Sequence, residues 1–178
     1  MQFFRRTRWR DNAEALYDII VAQSRKPEFY VHCGVPDTVD GRFDMIVLHA
    51  FVVLRRLKES HRDTAQALLE VIFDDMDRSL REMGAGDLGV SRRVKTMAKA
   101  LYGRMAAYEE ALDGDGAALA EALRRNLYGT IVPDPECVET MVSYVHAEAA
   151  SVERQSPESI AMGGLSFGPP PSIGRRAV

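Results

Sequence analysis

The sequence predicts an all-α protein, a single-domain bundle of about six helices around one buried central helix. Three observations support this fold class. Apolar residues recur at spacings of three and four along several stretches, as on the buried face of a helix. The alternating pattern of strands is scarce. The length of 178 residues fits one domain with a sizeable core.

The predicted central helix runs from Asp40 to Glu59. Between Met45 and Leu54 nine of ten residues are apolar, and His49 is the exception. A helix that is apolar on nearly every side is either buried in a core or spans a membrane. Ten residues rise only about 15 Å, and a hydrocarbon layer is roughly 30 Å thick, so we expect a core helix. Asp40 is its predicted N-cap.

Three segments are expected before the central helix. Residues 1–10 contain four arginines and no acid, and we interpret them as a basic aromatic arm that either contacts an anionic surface or packs back on the bundle. The first helix is expected from Asp11 to Ser24, with Asp11 as its cap. Residues 25–41 combine turn-forming with apolar residues, so we expect this connection to pack over the bundle.

Four further helices are expected after the central one. They are predicted to begin at Ser60 or Asp63, at Ser91, at Ala117, and at Asp134 with Pro135 in the first turn. From residue 154 to residue 178 the chain is rich in Ser, Gly and Pro, a composition that predicts a disordered tail. The helical domain is therefore expected to span residues 11–153.

One face of the helix that begins near Ser91 is basic. Arg92, Lys95 and Lys99 fall opposite its apolar side, and Gly103 falls among them. Because glycine costs about 1 kcal/mol in a helix interior, it indicates either a partner that approaches the backbone closely or a tolerated defect. The cations either bind an acidic loop, an anionic lipid surface or ribosomal RNA, or form a solvated face paired with the acidic helix before them.

No catalytic or metal-binding pattern is recognised, so we expect neither an enzyme nor a cofactor. The paired His and Cys spacings of zinc sites and the Gly-rich loops that bind phosphates are absent from the sequence. Asp74, Asp75 and Asp77 cannot all face one ion from a single helix, which favours a solvated acidic face. His49 is interpreted as a hydrogen-bonded core residue, and the two cysteines as free thiols.

Three stretches resemble a known family. They are FYVHCGVPDTVDGRFDMIVLHAFVVLRRLK, DLGVSRRVKTMAKALYGRMAAYEEAL and RRNLYG. Together they resemble the ubiquinol–cytochrome c chaperone family, whose members are all-helical, non-enzymatic assembly factors of respiratory complex III. The resemblance implies binding of newly made cytochrome b, its stabilisation and its delivery to complex III assembly. For mitochondrial members it also implies a small partner protein and a place near the ribosome.

The resemblance and the residue chemistry together give a set of candidate client-binding residues. The motif positions are Asp37, Thr38, Gly41, Arg42, Phe43, Arg92, Lys95, Tyr102, Gly103 and Arg104. We also hypothesise a groove for an apolar helix, lined by Phe29, Tyr30 and Phe43 with an adaptable Met97 or Met105. The candidates for client binding are Phe29, Tyr30, Asp37, Thr38, Arg42, Phe43, Arg92, Lys95, Lys99, Tyr102, Gly103 and Arg104.

Two other functions stay open from the sequence. A helical adaptor would use the arginine-rich arm and the basic helix face to recruit another partner to the membrane or the ribosome. An enzyme would need a metal at the three aspartates. A net charge of −3 gives no general attraction to DNA. We expect a cytoplasmic location with peripheral contact at the inner membrane, or a mitochondrial one if the source is eukaryotic.

Overall fold

Eight helices build the described part of the protein. The computed structural model describes the backbone of residues 2–82, 84 and 87–171 and the side chains of 8–82 and 92–171. Within these ranges no strand occurs, which confirms the predicted all-α class, and none of the helices is long and apolar enough to cross a lipid bilayer. The bounds are α1 Gln2–Ser24, α2 Glu28–Val31, α3 Val39–Leu57, α4 Arg62–Glu82, α5 Asp87–Leu112, α6 Gly116–Asn126, α7 Pro135–Arg154 and α8 Pro157–Ala161.

Helix α3 lies at the centre of the bundle, as predicted. Helices α1, α4, α5, α7 and α8 pack against it, and nearly all its side chains from Met45 to Leu54 are buried. Its N-cap differs from the prediction, because Thr38 rather than Asp40 caps the helix. The Thr38 hydroxyl accepts a hydrogen bond from the Gly41 amide at 3.1 Å. The backbone at Thr38 is extended, as an N-cap requires, and Asp40 lies inside the first turn.

Gly41 holds the preceding loop against the start of α3. A Cβ at this position would overlap the carbonyl oxygen of Pro36. Only a residue without a side chain therefore lets the loop approach the helix so closely. This contact fixes where the connection ends and α3 begins.

The predicted N-terminal arm is the first part of α1. The helix begins at Gln2 instead of Asp11, because no glycine or proline interrupts the sequence before Asp11. Arg10 forms ion pairs with Glu14 at 2.9 Å and with Asp74 of α4 at 2.8 Å. The hydroxyl of Tyr17 donates to Asp75, also of α4, at 2.7 Å. Met1 and the side chains of residues 2–7 lie outside the described part.

The connection between α1 and α3 packs on the bundle, as expected. It contains the short helix α2, and Phe29, Cys33 and Val35 are buried. The hydroxyl of Tyr128, which follows α6, donates to the carbonyl of Cys33 at 2.7 Å. This bond ties the connection to the segment between α6 and α7.

Capping aspartates mark the start of α6 and of α7, whereas α5 begins earlier than predicted. Asp115 accepts a hydrogen bond from the Ala118 amide to cap α6. Asp134 caps α7 in front of Pro135, as predicted. Helix α5 begins at Asp87, so Ser91 lies inside it and is not its cap.

A buried polar network joins α1, α3 and α7 around His49. The Nδ1–H of His49 donates to the Met45 carbonyl at 2.9 Å, and Tyr144 donates to Nε2 at 2.8 Å. Gln23 in turn donates to the Tyr144 oxygen at 2.8 Å, and the Ser24 hydroxyl donates to the Met45 carbonyl at 3.2 Å. The predicted role of His49 as a hydrogen-bonded core residue is confirmed. Burial lowers the pKa of His49 to about 4, so the ring is neutral.

The predicted disorder of the tail is wrong for residues 155–171. Ser156 caps α8, and Ile160 and Leu165 are buried. The Phe167 ring meets the His49 ring edge-on at 5.1 Å between centroids, and the Gly168 amide donates to the Glu148 carboxylate at 3.0 Å. A few apolar anchors thus order a segment whose overall composition is typical of disorder. Residues 172–178 lie outside the described part.

Two glycines provide a matched test of the fold. We expect Gly41→Ala to lower the free energy of unfolding by roughly 1–3 kcal/mol, because the new methyl group meets backbone. Gly103→Ala should raise it by about 0.5–1 kcal/mol, since nothing lies within 4 Å of the added Cβ and alanine favours the helix. Urea unfolding measures both, and a Gly41→Ala protein as stable as the wild type would contradict the close approach.

The His49 network predicts acid sensitivity. Because the folded pKa lies below the ordinary 6.5, the contribution of His49 to stability is present above pH 6.5 and is lost as the pH falls through about 4. Tyr144→Phe should cost about 1–3 kcal/mol by leaving Nε2 without a donor. Because the Tyr144 bond favours the neutral ring, its removal should also raise the folded pKa of His49, so that the loss on acidification ends at a higher pH. Urea unfolding across this pH range checks both effects, and a Tyr144→Phe protein with the wild-type pH profile would exclude them.

Candidate functional site

A cleft of roughly 380 Å³ opens beside the N-terminal end of α3. Its lining comes from residues 36–44, from residues 96–104 of α5 and from residues 125–130, which include the last two residues of α6. These stretches are far apart in sequence and meet only in the folded chain. Every lining residue except Thr130 falls within one of the three motif stretches singled out in the sequence. We call this site the α3–α5 cleft.

Short backbone contacts shape the cleft on two sides. On one side, the loop at Pro36 is held against α3 by Gly41. On the other, Gly129 turns the chain so closely that a Cβ there would lie 2.6 Å from the Arg125 carbonyl oxygen. Gly41 and Gly129 therefore serve the shape of the site rather than flexibility.

A nearly buried ion pair lies in the cleft. Asp44 Oδ1 and Arg104 Nε are 3.0 Å apart, with 10% and 24% of their side chains exposed. The two atoms are not aligned as a hydrogen bond. Burial raises the pKa of Asp44 to about 6, Arg104 lowers it in part, and Asp40 raises it further. A buried ion pair seldom stabilises a fold on net, so its position in a cleft suggests a binding role.

Further polar atoms near the cleft lack partners within the described residues. They are the hydroxyl of Tyr108, which is fully buried, and the side-chain nitrogen of Asn126. Burial, with the Asp44 charge as a second cause, raises the pKa of Tyr108. Both atoms are shielded from solvent, so they lie behind the surface of the cleft and do not face a bound segment directly.

The walls and rim of the cleft are largely apolar. Phe43, Met97 and Leu127 line it. Val39, which precedes the lining residue Asp40, is 67% exposed, and Ile131 and Val132, which follow the lining residue Thr130, are 46% and 97% exposed. Exposed apolar side chains around a cleft are typical of a site that binds another protein. No local feature of the sequence singles out Val132, since one valine in a loop is unremarkable.

The structure separates the predicted client-binding residues into different environments. Phe43 and Arg104 line the cleft, and Asp37 and Arg42 form an exposed ion pair at 2.7 Å beside it. Thr38 has the structural role of the helix cap. Asp44, Arg125 and Asn126 line the cleft as well, although they were not among the candidates. Asp44 could have been recognised from the sequence, because it is a charged residue at the N-terminal end of an apolar run.

The predicted groove of Phe29, Tyr30 and Phe43 does not exist as one surface. Phe29 is fully buried and packs edge-on against His49 and Tyr144. The Tyr30 hydroxyl donates to the Ser24 carbonyl at 2.7 Å and closes the end of α1. Both aromatic residues stabilise the connection, and only Phe43 is at the cleft.

Three basic residues of α5 lie on its outer side. Arg92, Lys95 and Lys99 are exposed, and their side chains form no ion pair with the described residues. The alternative that they pair with the acids of α4 is wrong, because those acids have other partners: Asp74 binds Arg10, Asp75 binds Tyr17 and Arg78, and Asp77 binds Arg81. No group of three or more potential metal ligands occurs among the described residues.

A second groove, of roughly 370 Å³, lies on the other flank of α5. Its lining includes Leu54 of α3, Leu69 of α4, and Tyr102, Met105 and Ala106 of α5. We call it the α4–α5 groove. Met97 and Met105, proposed from the sequence for one groove, thus line different sites.

Comparison with known proteins places the cleft in a family context. A sequence profile described as Ubiquinol-cytochrome C chaperone matches residues 31–167, a range that contains all three stretches lining the cleft. A solved structure described as the Cbp3 homolog from Brucella abortus superposes with a TM-score of 0.82 and 37% sequence identity, over 94% of this chain and 96% of that one.

Curated relatives are more distant in sequence. The chain is 24% identical over 163 residues to ubiquinol-cytochrome c reductase complex assembly factor 1 of Mus musculus, covering 89% of this chain and 55% of that protein. It is 28% identical over 149 residues to Protein CBP3, mitochondrial, of Saccharomyces cerevisiae, covering 80% and 44%. It therefore spans about half the length of these two relatives.

The Asp44–Arg104 pair predicts a measurable titration. In the wild type the pKa of Asp44 should lie near 6 instead of the ordinary 3.8, so its contribution to stability is present at low pH and is lost as the pH rises through about 6. Arg104→Met should raise this pKa further and move the loss to higher pH, because the guanidinium favours the carboxylate.

Carbon NMR of the Asp44 carboxyl group measures this shift. Arg124→Met, at an exposed position on α6 outside the cleft lining, is the control and should leave the titration unchanged. An Asp44 pKa that stays the same or falls in Arg104→Met would show that the two charges do not interact.

Proposed function

Because the chain belongs to the ubiquinol–cytochrome c chaperone family, we propose that it acts in the assembly of the ubiquinol–cytochrome c reductase complex and that it binds newly made cytochrome b. The names of its relatives support the role in assembly. The observation that carries the proposed binding site is the α3–α5 cleft, where three separate family stretches meet around a nearly buried ion pair with exposed apolar residues at the rim.

The size of the cleft suggests how a client is held. A volume of roughly 380 Å³ accommodates a few side chains rather than a whole helix. The client would therefore insert anchoring residues between Phe43, Met97 and Leu127, while its backbone lies across the rim near Val39 and Val132. A few buried anchors usually supply most of the binding energy of an interface.

The polar groups of the cleft complement the apolar anchors. A newly made membrane protein presents apolar helices joined by polar loops. Asp44 and Arg104 offer both signs of charge to such a loop, and the methionine side chain adapts to apolar partners of different shape. Covering the cleft would exclude water and strengthen the charged contacts. Binding of this kind holds a client without any chemical step.

The place of action follows from the client. Cytochrome b is a membrane protein, so we propose that the chaperone works at the surface of the inner membrane. The adaptor alternative depends instead on the exposed cations of α5, which lie outside the cleft. An adaptor would bring a partner to the membrane or the ribosome without holding cytochrome b.

Two alanine-to-tryptophan variants separate the cleft from the rest of the surface. Ala100 lines the cleft, so Ala100→Trp should fill it and weaken capture of newly made cytochrome b about tenfold or more, which corresponds to at least roughly 1.4 kcal/mol. Ala117→Trp, at an exposed position in the first turn of α6, is the matched control and should keep capture intact.

Co-purification of cytochrome b with each full-length variant is the primary measurement, in a strain that lacks the chromosomal copy. Difference spectra of b-type haem in membranes report the effect on the assembled complex. Thermal unfolding must show that both variants are folded. A folded Ala100→Trp protein that captures cytochrome b as the wild type does would exclude the cleft as the client site.

A further inference from the structure

The outer side of α5 presents one continuous exposed face. Arg92, Lys95, Lys99, Tyr102 and Ala106 are all exposed. At 3.6 residues per turn they fall within an arc of about 80° and extend over roughly 21 Å of helix. We call this set the α5 outer face. Its N-terminal half is basic, and its C-terminal half consists of Tyr102 and Ala106.

The cations of this face form no ion pairs with the described acidic residues, unlike several basic residues on the helices nearby. Nearby basic residues form ion pairs with acids of this chain: Arg55 and Lys58 with Glu109, Arg78 with Asp75, and Arg81 with Asp77. Arg92, Lys95 and Lys99 form none with the described residues. In a chain of net charge −3, these three cations thus have no acid beside them among the described side chains, a pattern that complements an acidic partner.

The C-terminal half of the face leads into the α4–α5 groove. Tyr102 is 52% exposed, and its ring packs at 6.1 Å between centroids against Phe73 of α4. Ala106 and Met105 line the groove together with Leu54 and Leu69. Nothing lies within 4 Å of a Cβ built on Gly103, so another backbone has room to approach between the cations and the groove.

We propose that the α5 outer face and the α4–α5 groove bind one amphipathic helix of a partner protein. The helix would place acidic residues over Lys95 and Lys99 and apolar residues, spaced by three and four, in the groove. The length of the face corresponds to about four turns of such a helix. This surface lies on the opposite flank of α5 from the α3–α5 cleft, so the inference does not depend on the client site.

The shape of the surface favours a helix over a membrane or RNA. Its apolar part is a concave groove, whereas binding to a lipid surface relies on apolar side chains that protrude into the bilayer. Binding of single-stranded RNA relies on aromatic rings among the cations on which bases stack, and the one aromatic residue of this face, Tyr102, packs against Phe73. A groove beside free cations matches the way in which amphipathic helices dock.

A synthetic helix of about four turns provides the probe. It carries glutamates in one half, leucines at helical spacing in the other, and a fluorescent label for anisotropy with the full-length protein. Lys95→Glu with Lys99→Glu should weaken its binding about tenfold or more, and more strongly at low salt than at high salt. Ala106→Trp, which blocks the groove, should weaken binding to a similar extent at either salt concentration.

Arg124→Glu, on the exposed side of α6, is the control for charge reversal and should bind the helix as the wild type does. Equal binding of the helix by all variants would overturn the proposal. Phosphatidylglycerol vesicles or a single-stranded RNA that bound more tightly than the synthetic helix, with the same dependence on Lys95 and Lys99, would also overturn it. Since the assay contains no cytochrome b, its failure would leave the proposal for the cleft standing.

Discussion

The orientation of α3 depends on one buried histidine. An almost wholly apolar helix can rotate about its axis at little cost, because one aliphatic side chain packs nearly as well as another. His49 removes this freedom. Its two nitrogens must meet the Met45 carbonyl and the Tyr144 hydroxyl at the same time, and an unpaired nitrogen in this dry core would be costly. The network therefore fixes which side of α3 faces α1 and α7.

The same constraint sets the functional end of the helix. Once His49 faces Tyr144, the preceding turn carries Phe43 and Asp44 to the side of α5, where Arg104 meets the carboxylate. The polar network at the middle of the helix and the ion pair at its front are thus linked through a single rigid element. Helix α5, in turn, forms a wall of both the cleft and the groove. Two partners on its opposite flanks would not compete for the same residues.

A structural feature can be predicted from the sequence when the interactions that produce it involve residues close together in the chain. The central helix, the cap at Asp134 and the core role of His49 follow from neighbouring residues, and those expectations agree with the structure. The cleft cannot be predicted from neighbouring residues, since the three stretches that line it meet only through tertiary packing. Phe29 was misjudged for a related reason: an aromatic residue in a loop resembles a binding residue until α7 is seen to cover it. In the tail, the burial of Ile160 and Leu165 orders a segment that its composition predicts to be disordered.

The order of the tail also bears on when the protein can fold during its own synthesis. Phe167 covers His49, and Gln23 near the end of α1 donates to the Gly168 carbonyl at 3.0 Å. Helices form from the N-terminal end as the chain emerges from the ribosome, but the centre of this bundle stays open until residues 165–168 have emerged as well. Translation of nearly the whole described chain therefore precedes the native core, and the chaperone depends on its C-terminal segment to close itself.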